Sequence, residues 1–185
     1  TNELKKAVKA HPLGEWIGNQ CGVGEKQAGR LLGVLGDPAF RVHADSGEVV
    51  ERTVSQLWSY CGYGDAKAQV RRRGVKDHWN ATLKVRAYLI AESCMKTPTS
   101  PYRKVYDEGR AKYADAVHSD ECKRCGPSGK PAQPGSPLND GHKHARALRL
   151  VAKTFLRDLW EEARRIHRLG GSHTRFDPAP ELREA

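Results

Sequence analysis

The chain has 185 residues, enough for one domain with a small appendage and for an apolar core that needs no disulfide. Lys and Arg number 32 against 22 Asp and Glu, a net charge of +10 that favours a polyanionic partner, above all nucleic acid. A mean hydropathy of −0.72 and the lack of a long apolar run argue against a membrane span, and no basic amphipathic stretch carries a lipid-seeking face.

The lysine-rich start has no apolar stretch behind it, so no secretory signal is expected. Five cysteines without such a signal point to a reducing, cytoplasmic setting with free or metal-bound thiols.

In chain order, Leu4–Ala10 reads as a short helix stopped before Pro12. Gly14–Gln20 and Glu25–Leu35 read as two helices around a Gly-Val-Gly turn, the second ended by Asp37-Pro38. Phe40–Arg52 alternates around Asp45-Ser46-Gly47 and predicts a β-hairpin. Thr53–Cys61 is helical, with Val54, Leu57, Trp58 and Cys61 on one face. After the basic loop Gly62–Asp77, Asn80 caps a helix to Met95 that turns Leu83, Ala87, Ile90, Ala91 and Cys94 inward. A further helix is predicted over Pro101–His118, with Pro in its first turn and Val105, Tyr106, Tyr113 and Val117 packing.

Ser119–Asp140 is proline- and glycine-rich and irregular. The clearest element is His142–Arg168, where Leu148, Ala152, Phe155, Leu159, Ala163 and Ile166 make one buried face, ended by Gly170-Gly171. The tail Ser172–Ala185 is polar and expected to be loose. The fold expected is mainly α: a helix-hairpin-helix followed by a helical bundle, with a small β-hairpin insertion and a Cys/His loop. Three parts are expected, 1–96, 97–170 and a tail 171–185.

Ile17 to Leu32 fits a helix-hairpin-helix pattern. Gly22 and Gly24 allow a tight turn and a close backbone approach, and the N–H groups that follow open a helix amino terminus, which favours an anion. A phosphate of double-stranded DNA is the natural guest, with Lys26 or Arg30 adding charge, Val23 plugging the turn into the core and Ala28 letting the helices approach. Such a contact reads the backbone and carries no sequence information.

Together with Leu31-Leu32, Gly36-Asp37, Leu57 to Gly62 and Arg71–Gly74, the hairpin resembles the C-terminal transposase domain of bacterial insertion sequences that pair it with a RuvC-like, four-carboxylate nuclease domain. The resemblance covers roughly Leu13–Met95 and implies DNA engagement; Ser100 to Asp107 and Gly141 to Ala147 resemble the ends of smaller relatives. Two features depart from the family. No strands with spaced carboxylates supply a nuclease domain, and the loop Asp65–Gly74 lacks the family's Ser-Gly nucleophile. Ser46-Gly47 sits at the hairpin tip, on the wrong side of the motif; an active recombinase would work through another serine, such as Ser55 or Ser59, or with a partner nuclease.

Arg71, Arg72, Arg73 and Lys76, flanked by Tyr60, Tyr63, His78 and Trp79, form a second expected phosphate contact, in which Trp79 is either a base-stacking ring or a core anchor. Arg146, Arg149, Lys153 and Arg157 line one stripe of the last helix, either tracking a nucleic-acid backbone or solvated and tied by pairs such as Arg157–Glu161.

Cys122 and Cys125 form a Cys-x-x-Cys knuckle before Gly126, and His142 and His144 follow. Two thiolates and two imidazoles are a standard tetrahedral set for structural zinc, and His118 is an alternative fourth ligand. A zinc-stabilised protein binding structured RNA is a third reading beside DNA binding and recombination, and an oligomer is compatible with each.

Overall fold

The computed structural model describes residues 2–66, 73–127, 130–170 and 176. Among them are seven helices and one two-stranded sheet: α1 (Asn2–Ala10), α2 (Gly14–Gly18), α3 (Glu25–Leu35), β1 (Phe40–Val42), β2 (Val49–Glu51), α4 (Val54–Tyr60), α5 (Ala81–Lys96), α6 (Pro101–Lys112) and α7 (Asp140–Gly170). The fold is mainly α, as the periodicity requires.

The long helix α7 packs against α4, α5 and α6, while α5 also packs on α3, and α3 on α1. The α7 side chains Leu148, Val151, Ala152, Phe155, Leu156, Leu159 and Ala163 are almost fully buried, and α5 meets them with Leu83, Ala87, Ile90 and Ala91. The rings of Trp16 and Tyr102 lie 6.2 and 5.7 Å from that of Phe155. One buried cluster therefore draws on both 1–96 and 97–170.

Local signals set the element ends. Thr53 and Gln56 form a reciprocal capping box at α4, and Asn80 Oδ1 accepts from the Leu83 N–H at α5. The β-strands pair antiparallel with Phe40 opposite Glu51 and Val42 opposite Val49. Trp58 and Trp160 donate their indole N–H groups to the carbonyls of Lys153 and Arg52, which fastens α4 and the strand end to α7.

One expectation needs correction. The helix expected to reach His118 ends at Lys112, and Val117 is exposed rather than packed. The backbone beyond it serves a different partner: His118 N–H donates to Ser136 O, Gly135 N–H to His118 O and Leu138 N–H to Ala116 O. Cys122 and Ala132 exchange both of their backbone bonds at 2.9 Å, so 116–122 and 132–138 run as an irregular antiparallel ladder. Of the two readings of Trp79, the core anchor is the one found: the ring is buried, with His78 edge-on to it and the Lys84 ammonium over its face.

The tail lies outside the described residues except for Phe176. Its ring stacks 4.2 Å from that of His167, and its N–H donates to Asp37 Oδ2, which also meets His167 Nε2 at 2.7 Å.

Candidate metal centre and nucleic-acid contacts

The segment between α6 and α7 cannot be held by burial. Among the described residues between Tyr102 and Ala147, the buried apolar ones are Ala132 and Leu138, and neither joins the core cluster. Four metal-binding side chains converge there instead. His118, Cys122, Cys125 and His142 place one ligand atom each within 4.8 Å of the others. A tetrahedron around zinc spaces its ligand atoms at about 3.3–3.8 Å, so the set is close to closure.

Each ligand is placed by a different local device. His118 sits in the ladder, and its Nδ1 lies 2.9 Å from Ser136 O. That bond leaves Nε2 as the free nitrogen, and Nε2 is buried without a hydrogen-bond partner. An orphaned imidazole nitrogen facing two thiols, with its other nitrogen fixed by a carbonyl, is how a metal-ligating histidine is oriented. Cys122 and Cys125 lie on the knuckle, which closes so tightly that a Cβ on Gly126 would fall 1.6 Å from Lys130 O. His142 stands in the first turn of α7, its N–H capped by Asn139 Oδ1 at 2.8 Å and its Nδ1 3.3 Å from Cys125 Sγ.

The two sulfurs differ electrostatically. The backbone N–H of Arg124, then Cys125, lowers the Cys122 thiol below its ordinary pKa, whereas burial and then the neighbouring Cys122 raise that of Cys125. Burial, then the charge of Arg146, lowers His142, favouring the neutral imidazole a metal requires.

His144, expected as the fourth ligand, stands elsewhere: it shares a 2.7 Å hydrogen bond with the Tyr106 hydroxyl. Two helical residues two apart point about 200° away from each other, so His142 and His144 cannot serve one ion. His118 takes that place. It is the alternative ligand the sequence offers, and the ladder beyond the end of α6 turns it to the thiols.

The predicted phosphate-contact residues are spread over three regions. At the α2–α3 hairpin, Gly22 takes φ +93° with Cys94 against it, so the turn needs its freedom. Gly24 is ordinary extended backbone at φ −75°, with open space where a Cβ would be. It precedes α3 without a side-chain cap, Lys26 is exposed, Val23 and Arg30 are half-buried and Ala28 is buried. Glu25, in the same turn, is paired with Lys5 at 2.7 Å. In the basic loop, Arg73 and Lys76 are exposed, and Arg71 and Arg72 lie outside the described residues.

The stripe on α7 is drawn inward: Arg146 lies over Tyr113, Arg149 over Tyr63 and Lys153 over Trp58, while Arg157 pairs with Asp158 and Glu161. Ser55 and Ser59 line a shallow cleft with Arg41, Arg52, Tyr60 and His78.

Three features thus stand out on the molecule: a Cys2His2 cluster, the exposed amino end of α3 and a cation-lined start of α7. No family model, curated protein or solved structure matches the chain.

Proposed function

We infer that the chain is a DNA-binding protein that grips the phosphate backbone through the α2–α3 hairpin, and that a structural zinc ion held by His118, Cys122, Cys125 and His142 orders the segment before α7. The observation that carries the DNA reading is the exposed amino end of α3. No side chain caps it, Gly24 leaves open space before it, and Lys26 extends beside it on a chain of net charge +10. Glu25 does not oppose an incoming phosphate with full charge, because Lys5 is paired with it. The resemblance to an insertion-sequence transposase domain agrees with this role, and the missing Ser-Gly dipeptide makes binding, not strand transfer, the function assigned.

Zinc supplies cohesion here rather than chemistry: four protein ligands fill a tetrahedron and leave no position for substrate.

The test is fluorescence anisotropy of the purified protein with a labelled duplex across a salt series, against Gly24→Phe. A Cβ at Gly24 meets open space, so the larger side chain can point outward, where a phosphate would approach, and far-ultraviolet circular dichroism checks that the variant is folded. Duplex affinity should fall steeply with salt and drop at least about tenfold in the variant. Equal binding by Gly24→Phe, or no duplex binding at low salt, would overturn the assignment; tighter binding to structured RNA would redirect it.

A further inference from the structure

A second cationic feature lies away from the hairpin. A cleft of about 460 Å³ opens beside the Cys/His cluster, lined by Arg124, Arg146 and Arg149 together with Cys125, Asn139 and His142. The three arginines come from separate places: Arg124 from the knuckle, Arg146 and Arg149 from successive turns of α7. None of them is ion-paired to a carboxylate among the described residues.

Other contacts hold two of these arginines in place. Arg149 donates to Gly64 O and lies over Tyr63, and Arg146 lies over Tyr113. Their positive charge is left for the cleft. Behind them stands Lys84, whose ammonium is lowered by burial and then by the charge of Arg149, with Arg124 adding to it. Asp65 acts on Arg149, and Asp77 on Lys84, and neither lines the cleft. The start of α7 adds little, because Asn139 already accepts from the N–H groups of His142 and Lys143.

Like charges crowd in this way where an anion is to be bound, because gathering them without one is unfavourable. The neighbouring cluster does not neutralise them. Two thiolates and two neutral imidazoles on a divalent ion make a centre of zero net charge. A guanidinium pair converging on a cleft from two elements suits the tetrahedral oxygens of a phosphate.

We propose that the cleft between the knuckle and α7 is a second phosphate-binding site, in which Arg124 and Arg146 hold the phosphate and Arg149, fixed by Gly64 and Tyr63, sets its depth. The source assigned is a phosphate of the bound nucleic acid, and this assignment rests on the DNA-binding reading above. The knuckle is then more than a staple, since it carries one of the arginines to the ligand.

The test uses zinc-loaded full-length protein and two probes, inorganic phosphate and a labelled duplex. Phosphate should shift the amide NMR signals of Arg124, Gly141, His142 and Arg146 in a saturable way. The Arg124→Gln/Arg146→Gln double variant should lose those shifts while keeping its zinc and its ladder amides. Its duplex affinity should fall about tenfold, and its slope of log K against log salt should drop by about one, the loss of one phosphate contact. No phosphate shifts in the parent protein would overturn the proposal, whatever the variant does to the duplex. Phosphate shifts with an unchanged duplex affinity would keep the site but overturn nucleic acid as its source in favour of free phosphate. Failure of the hairpin reading looks different: Gly24→Phe would leave duplex binding unchanged while the cleft still responds to phosphate.

Discussion

Phe155, in the middle of α7, is fully buried with the rings of Trp16 and Tyr102 against it. His142, in the first turn of the same helix, is half-buried and faces two thiols and a second imidazole. One helix thus serves two regions built on different physics. From Ala147 onward its inward positions are apolar and join a continuous core. Before that point its neighbours are polar, and the chain from 113 to 139 has too little apolar surface to offset the entropy of ordering it. A structural zinc ion is worth about 10–16 kcal/mol of apparent binding free energy, enough to replace a small core. A loop-rich segment outside the apolar bundle must draw its cohesion from something other than buried surface, and four converging metal-binding side chains are what this one offers.

The contrast can be broken most directly at Phe155. Phe155→Ala should cost the bundle about 3–5 kcal/mol, read as a lower urea midpoint by far-ultraviolet circular dichroism. A loss below about 1 kcal/mol would mean that the centre of α7 does not lie in the core.

Cys122→Ser addresses the other region. The parent protein should purify with one zinc per chain by atomic absorption, and the variant without it. Hydrogen exchange should then quicken by orders of magnitude at His118, Cys122, Ala132 and Leu138, whose amides form the ladder, while amides of α5 stay protected. Equal protection of the ladder in both proteins would abolish the distinction between the regions.

The smallest effect belongs to His11, a polar group that the bundle buries without metal. Its Nδ1 accepts from the Leu13 N–H, and burial holds its pKa below the ordinary 6.5. The neutral ring is favoured in the fold, so above pH 6.5 its contribution is complete. As pH falls through the unfolded value toward the folded one, the unfolded chain takes up the proton first and that stability is lost. The melting temperature of the zinc-loaded protein should drop by a few degrees between pH 7.5 and 5.5, and His11→Gln should flatten part of that slope. An unchanged slope would show that His11 does not titrate against the fold.

Much of the bundle was legible from spacing. Leu148, Ala152, Phe155, Leu159 and Ala163 recur at three and four, and all are buried. Asn80 announced the start of α5, and Pro101 that of α6. The Cys-x-x-Cys knuckle was visible because two thiols in a fixed local register need no tertiary knowledge. His118 was harder, because its role depends on which strand its backbone joins. The cleft arginines were harder still: Arg146 and Arg149 could be read as a stripe, but Arg124 looked like a spacer between cysteines. The Asp37–His167 pair joins residues far apart in sequence and carries no local signature.

Sequence alone therefore determined what periodicity and short-range chemistry can encode: the mainly helical class, the apolar face of α7, the β-hairpin, the caps and the Cys pair. Each of these depends on neighbours a few residues away. Tertiary structure decided which side chains meet across long stretches of chain. It placed His118 rather than His144 with the thiols, buried Trp79 away from any base, and gathered Arg124, Arg146 and Arg149 around one cleft. The physical reason is direction. A helix sends residues two apart to opposite sides, and a ladder turns a side chain according to its pairing, so ligand identity is settled only when the partner strand is in place.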